Sequence, residues 1–183
     1  METSLFVGGD DSNHAGETQG EIIVATFSSL QGDSKVRRHP NRRNLEGAER
    51  WMKKEGRDYR FTLLTHEGAA RYAQNVPETM PLLINSYLQD HPELEVDTLK
   101  IYIDGRLTTR NKRMLRGGNS SIGAVVVDNF LKKRKNSKGR TEKRPRCPAV
   151  VWAADHYSHL LYKEEFGQLT SHDKFVPYAA RAS

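Results

Sequence analysis

The sequence has little of several features on which common protein classes depend. Cys147 is the single cysteine among 183 residues, so no disulfide framework can form within the chain. This favours a reducing, intracellular setting, and we expect a cytoplasmic protein. No apolar run reaches the length of about 18 residues that a membrane-spanning helix needs, so we expect no membrane partner. The N-terminus also lacks the basic stretch and apolar run of a signal peptide.

Motifs of several enzyme classes are missing as well. The Gly117-Gly118-Asn119 stretch lacks the Gly-Lys-Ser/Thr element of a nucleotide-binding loop. No Ser-His-Asp or Cys-His nucleophile pattern stands out. Cys147, His156 and His159 do not have the spacing of a zinc finger, and one thiol is few for a zinc site. These absences leave two conspicuous features, which are a basic segment and a set of acids next to apolar runs.

The positive charge of the chain is concentrated in one segment. The net charge is +6, and residues 132–146 hold nine basic residues and one acid, so the rest of the chain sums to −2. Such segments commonly contact nucleic-acid phosphates, although a solvated loop without a partner is the alternative. We expect residues 132–147 to form a flexible loop. The residues predicted to bind nucleic acid are Lys132, Lys133, Arg134, Lys135, Lys138 and Arg140.

Four acids stand at places where a carboxylate is costly. Asp10 and Asp11 follow the apolar run of residues 5–9, Asp104 ends another apolar run, and Asp155 interrupts a third near the start of a predicted helix. A buried acid is unfavourable unless something compensates its charge, and neighbouring acids repel one another. Divalent cations prefer oxygen ligands and remove this repulsion. The pattern predicts a carboxylate metal site, whereas each acid alone is also compatible with a turn or an exposed helix position.

Apolar patterning predicts one domain over residues 1–167 with a C-terminal tail over residues 168–183. Strands are predicted at residues 4–9, 21–27, 58–64, 98–104 and 122–127, helices at 45–54, 67–74, 77–89 and 148–166, and a helical turn at 109–115, with 28–44 irregular. The first two strands should form an antiparallel hairpin. Crossover connections should then add parallel strands, which makes an α/β domain with a mixed sheet.

The predicted last helix should pack on this sheet through an apolar stripe. The stripe comprises Val150, Ala154, Tyr157 and Leu161 at helical spacing. Asp155 lies on the flank of the stripe, so we expect it at the rim of the helix–sheet interface, facing a strand end. In the strand over residues 98–104, alternation places Tyr102 on the same face as Asp104.

This order of elements, with acids at those points, resembles the ribonuclease H-like fold and is most similar to ribonuclease HII. The matching residues are Asp10 and Asp11 in Gly8-Gly9-Asp10-Asp11-Ser12, Asp104 in Ile101-Tyr102-Ile103-Asp104-Gly105, and Asp155 in Val151-Trp152-Ala153-Ala154-Asp155. The resemblance implies a mixed five-stranded sheet flanked by helices. It also implies an endonuclease with two Mg²⁺ or Mn²⁺ ions about 3.5–4 Å apart. Asp10 would bridge the metals, Asp104 and Asp155 would each bind one, and Asp11 would support them.

The chain departs from the ribonuclease HII pattern at three places. Asp11 replaces a glutamate, residues 12–16 contain no arginine where the family has its Gly-Arg-Gly segment, and Ala153 and Ala154 replace a lysine and an arginine. We therefore expect a nuclease acting on RNA, an RNA–DNA hybrid or structured DNA, with no firm preference for hybrids. The first alternative is a catalytically impaired module of the same fold that only binds nucleic acid. The second is a partner-binding domain with no nucleic-acid role. His14 is either a proton shuttle beside the acids or an exposed loop residue.

Overall fold

The computed structural model describes residues 3–12, 20–38, 45–64, 72–105, 107–130, 133–135, 141–143, 146–164 and 166–178. The strands are β1 (Ser4–Asp11), β2 (Glu21–Ser28), β3 (Val36–Arg38), β4 (Arg57–Leu64), β5 (Thr98–Asp104), β6 (Ala124–Phe130), β7 (Lys133–Lys135), β8 (Thr141–Lys143) and β9 (Arg146–Pro148). The helices are α1 (Leu45–Met52), α2 (Tyr72–Asp90), α3 (Thr109–Gly117), α4 (Ala149–Leu161) and α5 (Phe166–Ser171), and Gln31–Ser34 forms a 3₁₀ turn. None of the helices in these ranges is both long and apolar enough to cross a membrane.

Five strands form the main sheet in the order β4-β2-β1-β5-β6. β2 pairs antiparallel with both β1 and β4, whereas β5 pairs parallel with both β1 and β6. The predicted hairpin and the predicted crossover strands are therefore both present. The sheet confirms the predicted α/β fold class, a mixed five-stranded sheet flanked by helices.

Helices cover both faces of the sheet, so β1 and β2 are buried on both sides. On one face, α2 packs through Met80, Leu83 and Ile84 against alternate residues of β1, β2 and β5. On the other face, α4 packs against Phe6 of β1 and against Ile22 and Val24 of β2. Burial on both sides explains why these strands are nearly continuous apolar runs rather than alternating ones.

A single helix, α2, contains the helix predicted at residues 77–89 and residues 72–74 of the helix predicted at 67–74. Pro77 and Pro81 lie inside it, although a proline in a helix removes a backbone hydrogen bond. The residues Val76, Met80, Leu83, Ile84 and Tyr87 lie at helical spacing along the same stretch and are buried in the core, so their packing outweighs the lost hydrogen bonds. Residues 67–71 of the first predicted helix lie outside the described residues.

The described part of the predicted C-terminal tail contacts β4. The predicted helix over residues 148–166 ends earlier, at Leu161, and α5 follows after a short turn. The backbone N–H of Phe61 then donates to the carbonyl of Lys174 at 3.1 Å, and that of Val176 donates to the carbonyl of Phe61 at 2.8 Å. Leu169 and Phe175 pack in the same cluster as Phe61. The segment therefore covers the β4 edge, and the domain boundary predicted at residue 168 stays a prediction.

An ion-pair network fastens this C-terminal segment to β4. The buried Arg60 lies 2.7 Å from a carboxylate oxygen of Asp58 and 2.7 Å from one of Asp90. Lys174 reaches Asp58 at 2.9 Å. Burial raises the pKa of Asp58, but hydrogen bonds from Arg60, Lys174 and the backbone outweigh it and hold that pKa below its ordinary value. Asp58 is thus ionised at neutral pH and joins two cations.

Two segments predicted to lack regular structure contain paired strands. β3, inside the predicted irregular stretch 28–44, pairs antiparallel with β9. β7 and β8, inside the predicted flexible loop 132–147, pair antiparallel with each other. Lysine and arginine have low strand propensity, and partners distant in sequence decide such pairings. The composition of these segments therefore gave no sign of strands.

A second ion pair is buried under the first turn of α4. Arg57 donates from Nε to Asp33 Oδ2 at 2.6 Å and from Nη2 to Oδ1 at 2.8 Å. Ser28 Oγ also donates to Asp33, at 2.7 Å, and Arg57 Nη1 donates to the carbonyl of Trp51 at 2.9 Å. The side chains of Arg57 and Asp33 are only 7% and 1% exposed. This bidentate pair ties the 3₁₀ turn to the start of β4 and to α1.

Candidate active site

Asp10 and Asp104 occupy neighbouring positions on two central strands. In the parallel register of β1 and β5, Gly8 pairs with Tyr102 and Gly9 with Ile103. Both strands continue for at least one more residue, which sets Asp10 beside Asp104. Neighbouring strands are about 4.8 Å apart, and residues in register belong to the same face. The strand ends therefore bring two carboxylates together.

The face that carries this pair is the one covered by α4. A Cβ atom built on Gly8 would lie 2.6 Å from the backbone nitrogen of Val151 and closer still to the carbonyl of Val150. Thr26, the β2 partner of Gly8, donates from Oγ1 to that same carbonyl at 2.7 Å. Alternation along β1 then assigns Asp10 to the face of Gly8. The small residue at position 8 lets the helix approach the strand directly before the acid.

Asp155 lies on the part of α4 that passes over Asp10. Ala154 packs in one cluster with Val24, which is the β2 partner of Asp10. α4 therefore runs along β1 towards its acidic end. From Val151 to Asp155 the helix advances about 6 Å, and from Gly8 to Asp10 the strand advances about 6.6 Å. Asp10 and Asp104 thus share one end of one face, and the approach of the Asp155 side chain to them stays a prediction.

The three acids differ in how far their side chains are buried. Asp10 is 2% exposed and Asp155 is 4% exposed, whereas Asp104 is half-buried. The backbone N–H of Asp11 donates to Asp10 Oδ1 at 3.0 Å. His159 Nδ1 lies 2.8 Å from the carbonyl oxygen of Asp155 and 3.8 Å from its Oδ1. The imidazole of His159 thus contacts the backbone carbonyl of Asp155 more closely than its carboxylate.

Asp11 belongs to the opposite face of the sheet. It pairs with Ile23, which lies in the core cluster packed on α2. A Cβ built on Gly9, two residues earlier, would likewise meet Ile103 and Met80 on that side. Because β1 extends through Asp11, its last two residues alternate between faces instead of forming a turn after the strand. The structure therefore does not bring Asp11 to the face of the other three acids, and its role as a ligand stays a prediction.

The fit of this arrangement to a metal depends on how many ligands the protein must supply. Within the described ranges, no three His, Cys, Asp or Glu side chains form a group that could hold a metal ion. Magnesium is often bound by only one or two carboxylates together with substrate phosphates. The neighbouring carboxylates of Asp10 and Asp104 fit this second type of site. Asp155, on the facing helix, is not part of a ready-made three-acid cluster.

The site is open on the side of β6. Tyr102 pairs with Asp128 in the β5–β6 register and lies on the face of Asp104. Asp128 is exposed, and Val126 of the same face is 49% exposed. Burial raises the pKa of Tyr102, and the charge of Asp128 raises it further, so the phenol stays protonated at neutral pH. A substrate approaching from β6 would meet this surface before it reached Asp104.

Two buried acids, Asp33 and Glu21, were not identified from the sequence. Glu21 begins β2, is completely buried, and lies on the α2 face with Asp11. Its signal was an acid at the start of a β-branched apolar run, which is the same kind of signal that identified Asp10. Among the other predicted residues, His14, Lys132, Lys138 and Arg140 lie outside the described residues, and Lys133, Arg134 and Lys135 form β7.

Replacing Gly8 by Ala is expected to lower the free energy of unfolding by about 1–3 kcal/mol, because the new methyl group would overlap the backbone of α4. Urea denaturation followed by circular dichroism measures this change. Gly117→Ala is the matched control, since a Cβ there has no atom within 4 Å. An equal change in the two variants would show that the close approach of α4 to β1 is not needed.

Comparisons with known proteins give a likeness of fold. No family model matches the chain, and no curated protein matches it. Solved structures that resemble it include ribonuclease HII of Archaeoglobus fulgidus in complex with PCNA, with a TM-score of 0.45 and 14% identity over 94% of this chain and 81% of that chain. Ribonuclease H2 of Pyrococcus horikoshii has a TM-score of 0.45 and 13% identity over the same shares.

A third similar structure is viral. The manganese-soaked, inhibitor-bound terminase nuclease domain of human cytomegalovirus has a TM-score of 0.33 and 16% identity, over 78% of this chain and 52% of that chain. The chain thus spans about half of that domain's structure. The positions assigned to Asp10, Asp104 and Asp155 rest on the strand register and helix packing of this chain.

Proposed function

We propose that the protein is a divalent-metal-dependent nuclease that hydrolyses phosphodiester bonds in RNA, an RNA–DNA hybrid or structured DNA. The observation that carries the proposal is the neighbouring placement of Asp10 and Asp104 on the face where α4 carries Asp155. Two carboxylates at the ends of buried parallel strands are costly unless they serve a cation. The basic segment between β6 and α4 supplies the charge that a phosphate-bearing substrate requires.

Each acid has a distinct part in this proposal. Asp10 and Asp104 would hold Mg²⁺ or Mn²⁺ between them, with a substrate phosphate completing the ligand set. The metal, when bound, supplies Lewis-acid stabilisation of the charge that develops on the phosphate. Asp155, buried beside His159, would add negative charge on the opposite side of the site. The exposed surface along β6 admits the nucleic acid to Asp104.

Wild-type protein is expected to cleave at least one of four labelled substrates when Mg²⁺ or Mn²⁺ is present, and none in EDTA. The substrates are single-stranded RNA, an RNA–DNA hybrid, duplex DNA and branched DNA, and denaturing gels measure the products. Cleavage should return when excess metal is added after EDTA, because the carboxylates need a cation to act on phosphate. Activity that is equal in EDTA and in Mg²⁺ would contradict the proposal.

The second candidate function is nucleic-acid binding without cleavage. The lack of a ready-made three-acid group in the described residues favours it, as do Ala153 and Ala154 at positions where ribonuclease HII has basic residues. The same substrates separate the two functions. Binding to a labelled duplex with no product under any metal condition would support the binding module.

A further inference from the structure

The segment between β6 and α4 is attached at both ends to the elements of the candidate site. β7 begins three residues after Phe130, which pairs with Asp104 in the β5–β6 register. β9 ends at Pro148, directly before the helix that carries Asp155. Between these two attachments, β7 and β8 form a two-stranded antiparallel ribbon. In the chain, the ribbon therefore lies between Phe130, which pairs with Asp104, and the helix that carries Asp155.

The register of the ribbon separates its charges by face. Lys133 pairs with Lys143, and Lys135 pairs with Thr141. Successive residues of a strand belong to opposite faces, so these four positions share one face, which we call the lysine face. Arg134 pairs with Glu142 on the other face, where one positive and one negative residue balance. The entire net charge of the ribbon is thus assigned to the lysine face.

The pairing of Lys133 with Lys143 is unfavourable for the ribbon when no partner is bound. Like charges at directly opposite positions destabilise a strand pair, and a short two-stranded ribbon is marginal in water even without repulsion. The β3–β9 ladder repeats the feature, because Arg38 pairs with Arg146. A polyanion bound along these positions would remove the repulsion. A like-charged pair in each of the two ladders fits a partner that carries many negative charges.

We propose that the lysine face binds the backbone of duplex nucleic acid, an inference that rests on the proposed function and specifies its partner. A two-stranded ribbon is a shape that the major groove of a duplex admits. Proteins that hold single strands use aromatic side chains to stack the bases, and residues 132–146 contain no aromatic residue. The ribbon instead contains Lys133, Lys135 and Lys143, and lysines suit contacts with backbone phosphates.

The test compares charge-matched variants on the two faces. Lys135→Gln and Arg134→Gln each remove one positive charge from adjacent positions of β7. Binding to a fluorescein-labelled DNA duplex is measured by anisotropy in EDTA, where cleavage does not interfere, at several NaCl concentrations. Lys135→Gln should make the slope of log K against log salt shallower by about 0.9, as expected for one lost phosphate contact. Arg134→Gln should leave the slope unchanged, against the prediction from the sequence that Arg134 binds nucleic acid, because Arg134 pairs with Glu142 on the other face.

The triple variant Lys133→Gln/Lys135→Gln/Lys143→Gln should reduce the slope by about 2.7 and weaken binding at least about tenfold near 0.1 M salt. Thermal unfolding checks that each variant folds, and the comparison of Lys135→Gln with Arg134→Gln decides the question if the triple variant does not. Equal slopes for those two variants would overturn the assignment to one face. Tighter binding to a single strand, or equal binding to polyglutamate, would overturn the choice of duplex.

These results are separable from those of the cleavage assay. Face-dependent binding by a protein that cleaves nothing would leave this inference standing and refute the nuclease. Cleavage by a triple variant that binds the duplex with the wild-type affinity and salt slope would refute this inference and leave the nuclease standing.

Discussion

Asp10→Asn is expected to lower metal-dependent cleavage by about a thousandfold, and Asp104→Asn by a similar factor. An amide in place of either carboxylate removes one of the two charges available to hold the cation. The cation contributes several kcal/mol to stabilising the developing charge, and about 4 kcal/mol corresponds to a thousandfold in rate. Single-turnover cleavage at saturating protein, over a range of Mg²⁺ concentrations, measures the loss. Part of it should be recovered at high Mg²⁺ if the variant still binds metal weakly.

Asp11→Asn is the matched control for this prediction. It removes the same charge one residue further along the strand, on the face that packs against α2. We expect its cleavage rate to fall by much less than that of Asp10→Asn. Duplex binding in EDTA should be unchanged in both variants, since neither alters the basic segment. Equal losses for Asp10→Asn and Asp11→Asn would mean that strand alternation does not define the site.

The central strands were predictable because their signals are local. β5 is predicted with its exact bounds, since an apolar run ends there in Asp104 and then Gly105. The neighbouring placement of two strand-end acids follows from parallel pairing alone. The face of Asp11 was predictable in principle. It was missed because the predicted strand ended at residue 9. β1 in fact extends to Asp11, so Asp10 and Asp11 belong to opposite faces of the strand.

Other features were not predictable because they depend on partners distant in sequence. The pairing of β3 with β9 joins residues more than a hundred positions apart, and neither segment has a strand-like composition. The bond from Thr26 to the carbonyl of Val150 likewise joins β2 to a helix 124 residues later. The buried pair of Asp33 and Arg57 belongs to this group as well, since neither residue stands in a recognisable motif.

That buried pair leads to the largest expected effect on stability. Asp33→Ala is expected to lower the free energy of unfolding by about 3–5 kcal/mol, because it leaves the guanidinium of Arg57 buried without its carboxylate. Whole domains are stable by only about 5–15 kcal/mol, so the variant should unfold at far lower urea concentration. Equilibrium urea denaturation at pH 7 measures the change. A second substitution, Arg57→Met, should recover part of the loss, because it removes the stranded charge and keeps an apolar side chain beside Trp51.

Asp90→Ala is the control, because Asp90 pairs with a buried arginine but is itself 58% exposed. Its partner Arg60 keeps Asp58, so the cost should be about 0–1 kcal/mol. Similar decreases in the free energy of unfolding for Asp33→Ala and Asp90→Ala would show that burial does not determine how much an ion pair contributes to stability. The pair also bears on the site, since Trp51 packs with Ala149 and Val150 in the first turn of α4. Asp33→Ala should therefore reduce cleavage through the placement of Asp155, but by less than Asp10→Asn at a temperature where both variants remain folded.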